Sequence, residues 1–187
     1  MTKGRIILNT DQIKLIISRL CYQILESYPD LTKLCMIGIQ PRGVYFAEKI
    51  YQELTRIAPE SNIPFGKLDI TFFRDDFRKG APLKANSTQI DFLTEDKIVL
   101  LIDDVLYTGR SIHASIAALQ SFGRPSKIDL MVLIDRRFNR EFPIKANFTG
   151  MIVDSLDEAY VKVNWDLHEQ ENSVVIYPEK NIEADAK

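Results

Sequence analysis

Two hydrophobic periods take turns along the chain. Continuous aliphatic runs at Leu34–Ile39, Ile98–Ile102 and Lys127–Ile134 read as strands buried on both faces, as in the interior of a parallel sheet. Between them, apolar residues recur at helical spacing. Ile13, Ile16, Ile17, Leu20, Ile24 and Leu25 mark an amphipathic helix from Gln12 to Tyr28, with capping side chains at Asn9-Thr10-Asp11 and a stop at Pro29. A second helix spans Val44 to Ile57. A third carries Ile112, Ile116 and Leu119 and ends near Gly123-Arg124-Pro125. Shorter strands are expected at Arg5–Leu8, at Lys67 to Phe73, at Asn147 to Val153, at Ala159 to Val163, and at the edge from Ser173 to Tyr177. Strands alternating with helices predict an α/β fold with helices on both faces of a parallel sheet. One domain over residues 1–178 is expected, with a charged, disordered tail from 179 to 187.

The order of residues after the central run carries chemistry. Ile98–Ile102 leads into Asp103 and Asp104, then Val105, Leu106, Tyr107, Thr108, Gly109, Arg110 and Ser111, and then a helix. A phosphate sits well at such a helix start, held by converging backbone N–H groups, the positive end of the helix dipole and the Thr108 and Ser111 hydroxyls. Carboxylates accept hydrogen bonds from a vicinal diol. A ligand with both groups is a ribose 5-phosphate. Acids at a strand end also bind metals, cap helices or are merely solvated. The fixed sequence of acid pair, Thr-Gly-Arg-Ser and helix favours the site over those roles. A second strand-to-helix turn, Gln40-Pro41-Arg42-Gly43, follows Ile39. There Arg42 offers a forked cation suited to phosphate oxygens, and Gly43 lets backbone come close.

Residues 99–111 resemble the phosphoribosyl pyrophosphate (PRPP) motif of the type I phosphoribosyltransferases. The wording Asp-Asp-Val-Leu-Tyr-Thr-Gly-Arg is similar to one branch, the PyrR family of pyrimidine operon regulators that are also uracil phosphoribosyltransferases. The resemblance runs from Ile6 to about Tyr177, with motifs at 38–43, 72–76 and 99–111. It implies the type I phosphoribosyltransferase fold: a central, mainly parallel sheet with helices on both faces, a small hood, and a flexible lid loop opening at Phe73-Arg74-Asp75-Asp76. It implies that uracil and PRPP give UMP and diphosphate, with Mg²⁺ as cofactor held through the substrate diphosphate. Asp103 and Asp104 would then meet the ribose hydroxyls, Asp103 also lying near the metal's hydration shell. Leu106 to Ser111 would take the 5-phosphate, and Arg42 in its loop with Gln40, Pro41 and Gly43 the diphosphate. Arg74, Arg136 and Arg137 would be further diphosphate ligands. Pro41 stands where the family more often has threonine. RNA is the family's other partner, and Ser18, Arg19, Arg136, Arg140 and Lys145 are the candidate contacts. Tyr22 and Asn139 replace histidines on that face, so catalysis is expected to be retained, with an RNA-binding, pyrimidine-responsive transcription attenuator of minor catalysis as the lower-ranked alternative. A phosphoribosyltransferase for another base remains open, and a dimer or tetramer is expected.

Bulk composition changes little. The chain has 187 residues, 45% hydrophobic and 27% charged, which suits a globular domain. A net charge of −2 argues against a generally cationic nucleic-acid binder. Cys21 and Cys35 lie in apolar stretches with no metal spacing, as buried free thiols do. No signal core or membrane-spanning run is evident, so a cytoplasmic protein is expected. His113 and His168 do not make a metal pair. Neither Gly-x-x-x-x-Gly-Lys-Ser/Thr nor Gly-x-Gly-x-x-Gly occurs, which removes the common nucleotide triphosphatase and dinucleotide motifs.

Overall fold

The computed structural model describes residues 4–74, 85–154, 159–166 and 171–178. Its elements are β1 (Arg5–Leu8), α1 (Thr10–Ser27), β2 (Leu34–Ile39), α2 (Arg42–Ile57), β3 (Phe65–Leu68), β4 (Ile98–Leu106), α3 (Arg110–Leu119), β5 (Lys127–Arg136), β6 (Phe148–Val153), β7 (Tyr160–Asn164) and β8 (Ser173–Tyr177). The main sheet is five-stranded and parallel, in the order β3-β2-β4-β5-β6. Side chains alternate across its pleat. Leu34, Met36, Leu100, Ile102, Met131 and Leu133 pack with α1 and α2 on one face. Cys35, Ile37, Val99, Leu101, Leu130 and Val132 pack with α3 on the other. This is the parallel sheet with helices on both faces that the alternation of strands and helices predicts.

Local chemistry sets the helix ends. The Asn9 carboxamide accepts from the Gln12 backbone N–H at 2.9 Å, and the Gln12 side chain accepts from the Asn9 N–H at 2.9 Å, closing a reciprocal cap. At the other end of α1 the buried Tyr28 hydroxyl donates to Asp129 of β5 at 2.6 Å. Burial, then the Asp129 carboxylate, pushes that hydroxyl well above its usual range. Both cysteines are buried free thiols. Burial pushes Cys21 up to about 12 and Cys35 up to about 11. Among the described residues no helix is long and apolar enough to cross a membrane.

Three expectations need correction. The strand expected to run to Phe73 ends at Leu68. There the Asp69 carboxylate accepts from the backbone N–H groups of Thr71 (2.6 Å) and Asn86, drawing the chain off the sheet into a single 3₁₀ turn over Thr71–Phe73. Phe72 and Phe73 are exposed rather than strand core. The central strand does not stop before its acids. It stays paired with β5 through Asp103 and on to Leu106. Finally, Ser173–Tyr177 is no edge strand: β8 is the middle of a small antiparallel sheet, β1-β8-β7, reached from both ends of the chain. This sheet is the hood, and Trp165, just past β7, stacks on Phe46 of α2 at 6.2 Å between centroids. The body of the expected lid (75–84), the approach to β7 (155–158), and the tail (179–187) lie outside the described residues.

Candidate active site

Ligands of open parallel sheets bind beyond the carboxyl ends of the strands, and both turns singled out in the sequence are there. A cavity of about 280 Å³ is lined by Arg74, Asp103, Val105, Leu106, Tyr107, Thr108, Gly109, Arg110, Ser111 and Ile112. Nearly the whole run picked out by sequence therefore surrounds one space. Gly109, at φ +89°, turns β4 into α3 in the left-handed region that glycine adopts without strain. From the cavity's other side the Arg74 guanidinium donates to Ser111 Oγ at 3.4 Å.

The two acids part company. Neighbours on a strand point to opposite faces, so Asp103 lines the cavity while Asp104 turns toward α2 and the hood. Burial, then repulsion from Asp104, raises the Asp103 pKa far above the usual carboxylate range. The Asp104 N–H, donated to Asp103 Oδ1 at 2.9 Å, and the charges of Arg42 and Arg74 offset only part of this. Asp104 is also raised by burial, against the pull of Arg42. Gly43 explains how α2 comes so near: a Cβ there would sit 2.8 Å from Asp103 Oδ1 and 2.8 Å from the Ile102 carbonyl.

Arg42 is held by the hood side. Its Nε donates to Asp104 Oδ2 at 3.1 Å and its Nη2 to the Val163 carbonyl at 2.9 Å, with the Tyr160 hydroxyl also in reach. Burial works against its charge, but Asp104 and Tyr160 outweigh that and leave its pKa raised. The Gln40–Pro41 bond is cis, and Gln40 Nε2 donates to the Ser87 carbonyl at 2.6 Å. Tyr160 and the Val163 carbonyl were missed by sequence reasoning. Nothing local marks them, because only the packing of β7 against the sheet end brings them to Arg42.

Other candidates fall elsewhere. Arg136 is buried with its guanidinium 3.8 Å from the centre of the Tyr107 ring, behind the turn rather than in the cavity. Arg137 pairs with Asp154 at 3.3 Å, away from the cavity. Of the candidate RNA contacts, Arg19 donates to the carbonyls of Thr149 (3.2 Å) and Gly150 (2.6 Å). Ser18 reaches the Glu53 carboxylate on α2, and Arg140 points inward. Lys145 alone of these is exposed without a described side-chain partner.

Asp103 is the carboxylate among the residues lining the cavity, and a hard cation entering it could meet that group. Among the described residues no cluster of three or more His, Cys, Asp or Glu forms a cage. One buried, destabilised carboxylate at the cavity wall, Asp103, is the kind of anion that Mg²⁺ keeping most of its waters would meet.

An open parallel sheet with a buried carboxylate and a glycine-bent turn at one strand end is an arrangement able to take a sugar phosphate. The family model for the phosphoribosyl transferase domain matches residues 4–170. The chain belongs to the phosphoribosyltransferase family, and it lies in the PyrR branch. It is 40% identical over 177 residues to the Bifunctional protein PyrR of Caldicellulosiruptor bescii, covering 94% of this chain and 96% of that one. It is 39% identical to the Bifunctional protein PyrR of Desulfosudis oleivorans, covering 94% and 97%. The fold is also similar to the hypoxanthine phosphoribosyltransferase of Trypanosoma cruzi, with a TM-score of 0.67 at 18% identity over 94% of this chain and 97% of that chain. The chain is a phosphoribosyltransferase.

Proposed function

We propose that this enzyme joins uracil to the ribose 5-phosphate of PRPP, releasing diphosphate and forming UMP. The observation that carries the reading is the single cavity walled by Asp103 and the turn from Leu106 to Ser111. The C1–O bond to diphosphate breaks, the bond from uracil nitrogen to C1 forms, and the nitrogen's proton passes to solvent or to the departing diphosphate. Charge builds on the ribose ring and the leaving group. Catalysis therefore rests on positioning and electrostatics more than on an acid–base pair.

In this reading the amides and hydroxyls of Thr108 to Ser111 hold the 5-phosphate, and Asp103 accepts from the ribose hydroxyls. Asp104 holds the Arg42 guanidinium at the sheet end through its Nε, and there Arg42 and Arg74 meet diphosphate. Mg²⁺ bound to the diphosphate would neutralise charge on the leaving group, with Asp103 nearest to its waters. Tyr107, one face of whose ring is covered by the Arg136 guanidinium, lines the cavity and is the aromatic on which the base would stack. Arg137 has no described place in this scheme. The protein is expected to work in the cytoplasm as a dimer or tetramer.

Parallel assays with uracil, orotate, hypoxanthine and xanthine in the presence of PRPP and Mg²⁺ test the base. Turnover of hypoxanthine without uracil would refute uracil. A second activity is favoured by the name of its relatives, which are bifunctional: binding of a pyrimidine-leader RNA. Because Ser18, Arg19, Arg136 and Arg140 are committed to protein partners, that binding is expected to be weak. Titration of such an RNA at several salt concentrations, with and without UMP, checks it; tight, sequence-selective, UMP-dependent binding would reverse this ranking.

A further inference from the structure

The loop after β5 grips the phosphate turn from behind. Arg140 sits in it with its side chain 20% exposed. Its Nη1 donates to the carbonyls of Tyr107, of Leu106 at 3.4 Å and of Arg136 at 2.9 Å, and its Nε to that of Ile144 at 3.3 Å. Its Nη2 pairs with Asp135. The next two residues continue the grip: the N–H groups of Glu141 (3.0 Å) and Phe142 (3.2 Å) both donate to the Thr108 carbonyl. The Glu141 carboxylate pairs with Arg110, the Phe142 ring stacks on His113 at 4.5 Å, and Ile144 packs on Gly109. Three successive carbonyls, of Leu106, Tyr107 and Thr108, are thus all engaged by residues 140–142.

A peptide unit is planar and trans, so its C=O and the N–H of the following residue point in opposite directions. With the carbonyls of Leu106, Tyr107 and Thr108 drawn toward residues 140–142, the N–H groups of Tyr107, Thr108 and Gly109 point away from that loop. The cavity is walled by these same residues. We propose that Arg140 is a positioning residue for the 5-phosphate seat, holding the carbonyls of the turn so that its amides converge on the cavity. The proposal rests on the reading of Leu106 to Ser111 as that seat. The planar guanidinium suits the task because its fixed fork serves several carbonyls and one carboxylate at once. A lysine in its place carries the charge without the fork.

The discriminating measurement is product inhibition by UMP and by diphosphate, beside the KM for PRPP, in parent, Ser111→Ala, Arg140→Lys and Arg140→Met proteins. UMP uses the 5-phosphate seat, and diphosphate does not. Arg140→Met is expected to raise the UMP inhibition constant and the KM for PRPP about tenfold while leaving diphosphate inhibition unchanged, and Arg140→Lys to raise them about threefold. Thermal midpoints taken alongside identify loss of fold. If Ser111→Ala leaves UMP inhibition as in the parent, the seat itself is misplaced. If Ser111→Ala weakens UMP while both Arg140 variants match the parent, the seat stands and the positioning role falls. Equal weakening of UMP and diphosphate in the Arg140 variants would make the residue merely structural and overturn the proposal. Should Arg140→Met fail to fold, Arg140→Lys alone decides: parent-like UMP inhibition refutes it.

Discussion

The two strand-to-helix turns at the carboxyl edge of the sheet differ in what they offer an anion. The turn after β2 offers a side chain: Arg42, in the first turn of α2, held by Asp104 and the Val163 carbonyl. The turn after β4 offers backbone: amides bent by Gly109 and fastened through their carbonyls to residues 140–142. The first is a charge whose direction depends on the group that neutralises it. The second is a set of dipoles whose direction depends on peptide planarity. One topological position therefore yields two kinds of anion seat, which the proposed reading assigns to the two ends of PRPP. The acids between them divide in the same way, Asp104 serving the cation and Asp103 the cavity.

Asp103→Asn gives the largest expected effect and breaks the comparison at its centre. UMP formation should fall about 100-fold or more in kcat/KM, since the proposed reading has this carboxylate meet the reacting sugar. Stability should move the other way. The Asp103 carboxylate is costly where it lies, so the ligand-free asparagine variant should melt at the parent's temperature or about 2 °C above it by scanning calorimetry. A variant as active as the parent would remove Asp103 from the site.

Gly43→Ala tests how closely the side-chain turn must approach the acid. Its methyl would meet Asp103 and the Ile102 carbonyl, both part of the strand end, so unfolding in urea should show a loss of about 1–3 kcal/mol together with reduced turnover. Arg42→Gln comes next, with a drop of about tenfold in kcat/KM for PRPP, since a charge-assisted contact is replaced by a neutral one. Gly109→Ala tests the backbone turn. Forcing an L side chain to φ +89° should cost about 1–2 kcal/mol, and UMP affinity should weaken more than diphosphate affinity.

The smallest expected effect is a pH dependence. A carboxyl whose pKa is raised by folding holds its proton in the native state at pH values where the unfolded chain has released it. Unfolding then releases protons, and stability declines as pH climbs from the ordinary carboxylate value toward the raised one. Other carboxylates, such as Glu53 beside Arg56, work in the opposite direction. The telling quantity is thus the difference between parent and Asp103→Asn, which should widen in favour of the variant with rising pH. A constant difference would mean that Asp103 is ionised throughout.

Short-range pattern made much of this legible. Helical periodicity and the Asn9 cap located α1 to within two residues, and the aliphatic runs located β2, β4 and β5, because burial on both faces leaves no other use for such runs. The stretch from Asp103 to Ser111 was recognisable as a site because consecutive residues at a strand end and helix start wall one space whatever the rest of the chain does. The misreadings have the opposite origin. Phe72 and Phe73 look like strand core, yet a side-chain contact from Asp69 turns them out to solvent. Arg140, singled out as a candidate contact for RNA, has partners that no local pattern shows, because they lie on the turn after β4.

The amino-acid order by itself determined which segments become strands and helices and which run of residues walls the cavity, since those follow from local pattern and chain connectivity. Only the tertiary structure decided which way each charged group points. Asp103 and Asp104 are separated by the pleat of one strand, Arg42 finds Tyr160 and Val163 from a distant hairpin, and Arg140 finds carbonyls more than thirty residues earlier. Such partners are chosen by packing between segments, which no local spacing encodes.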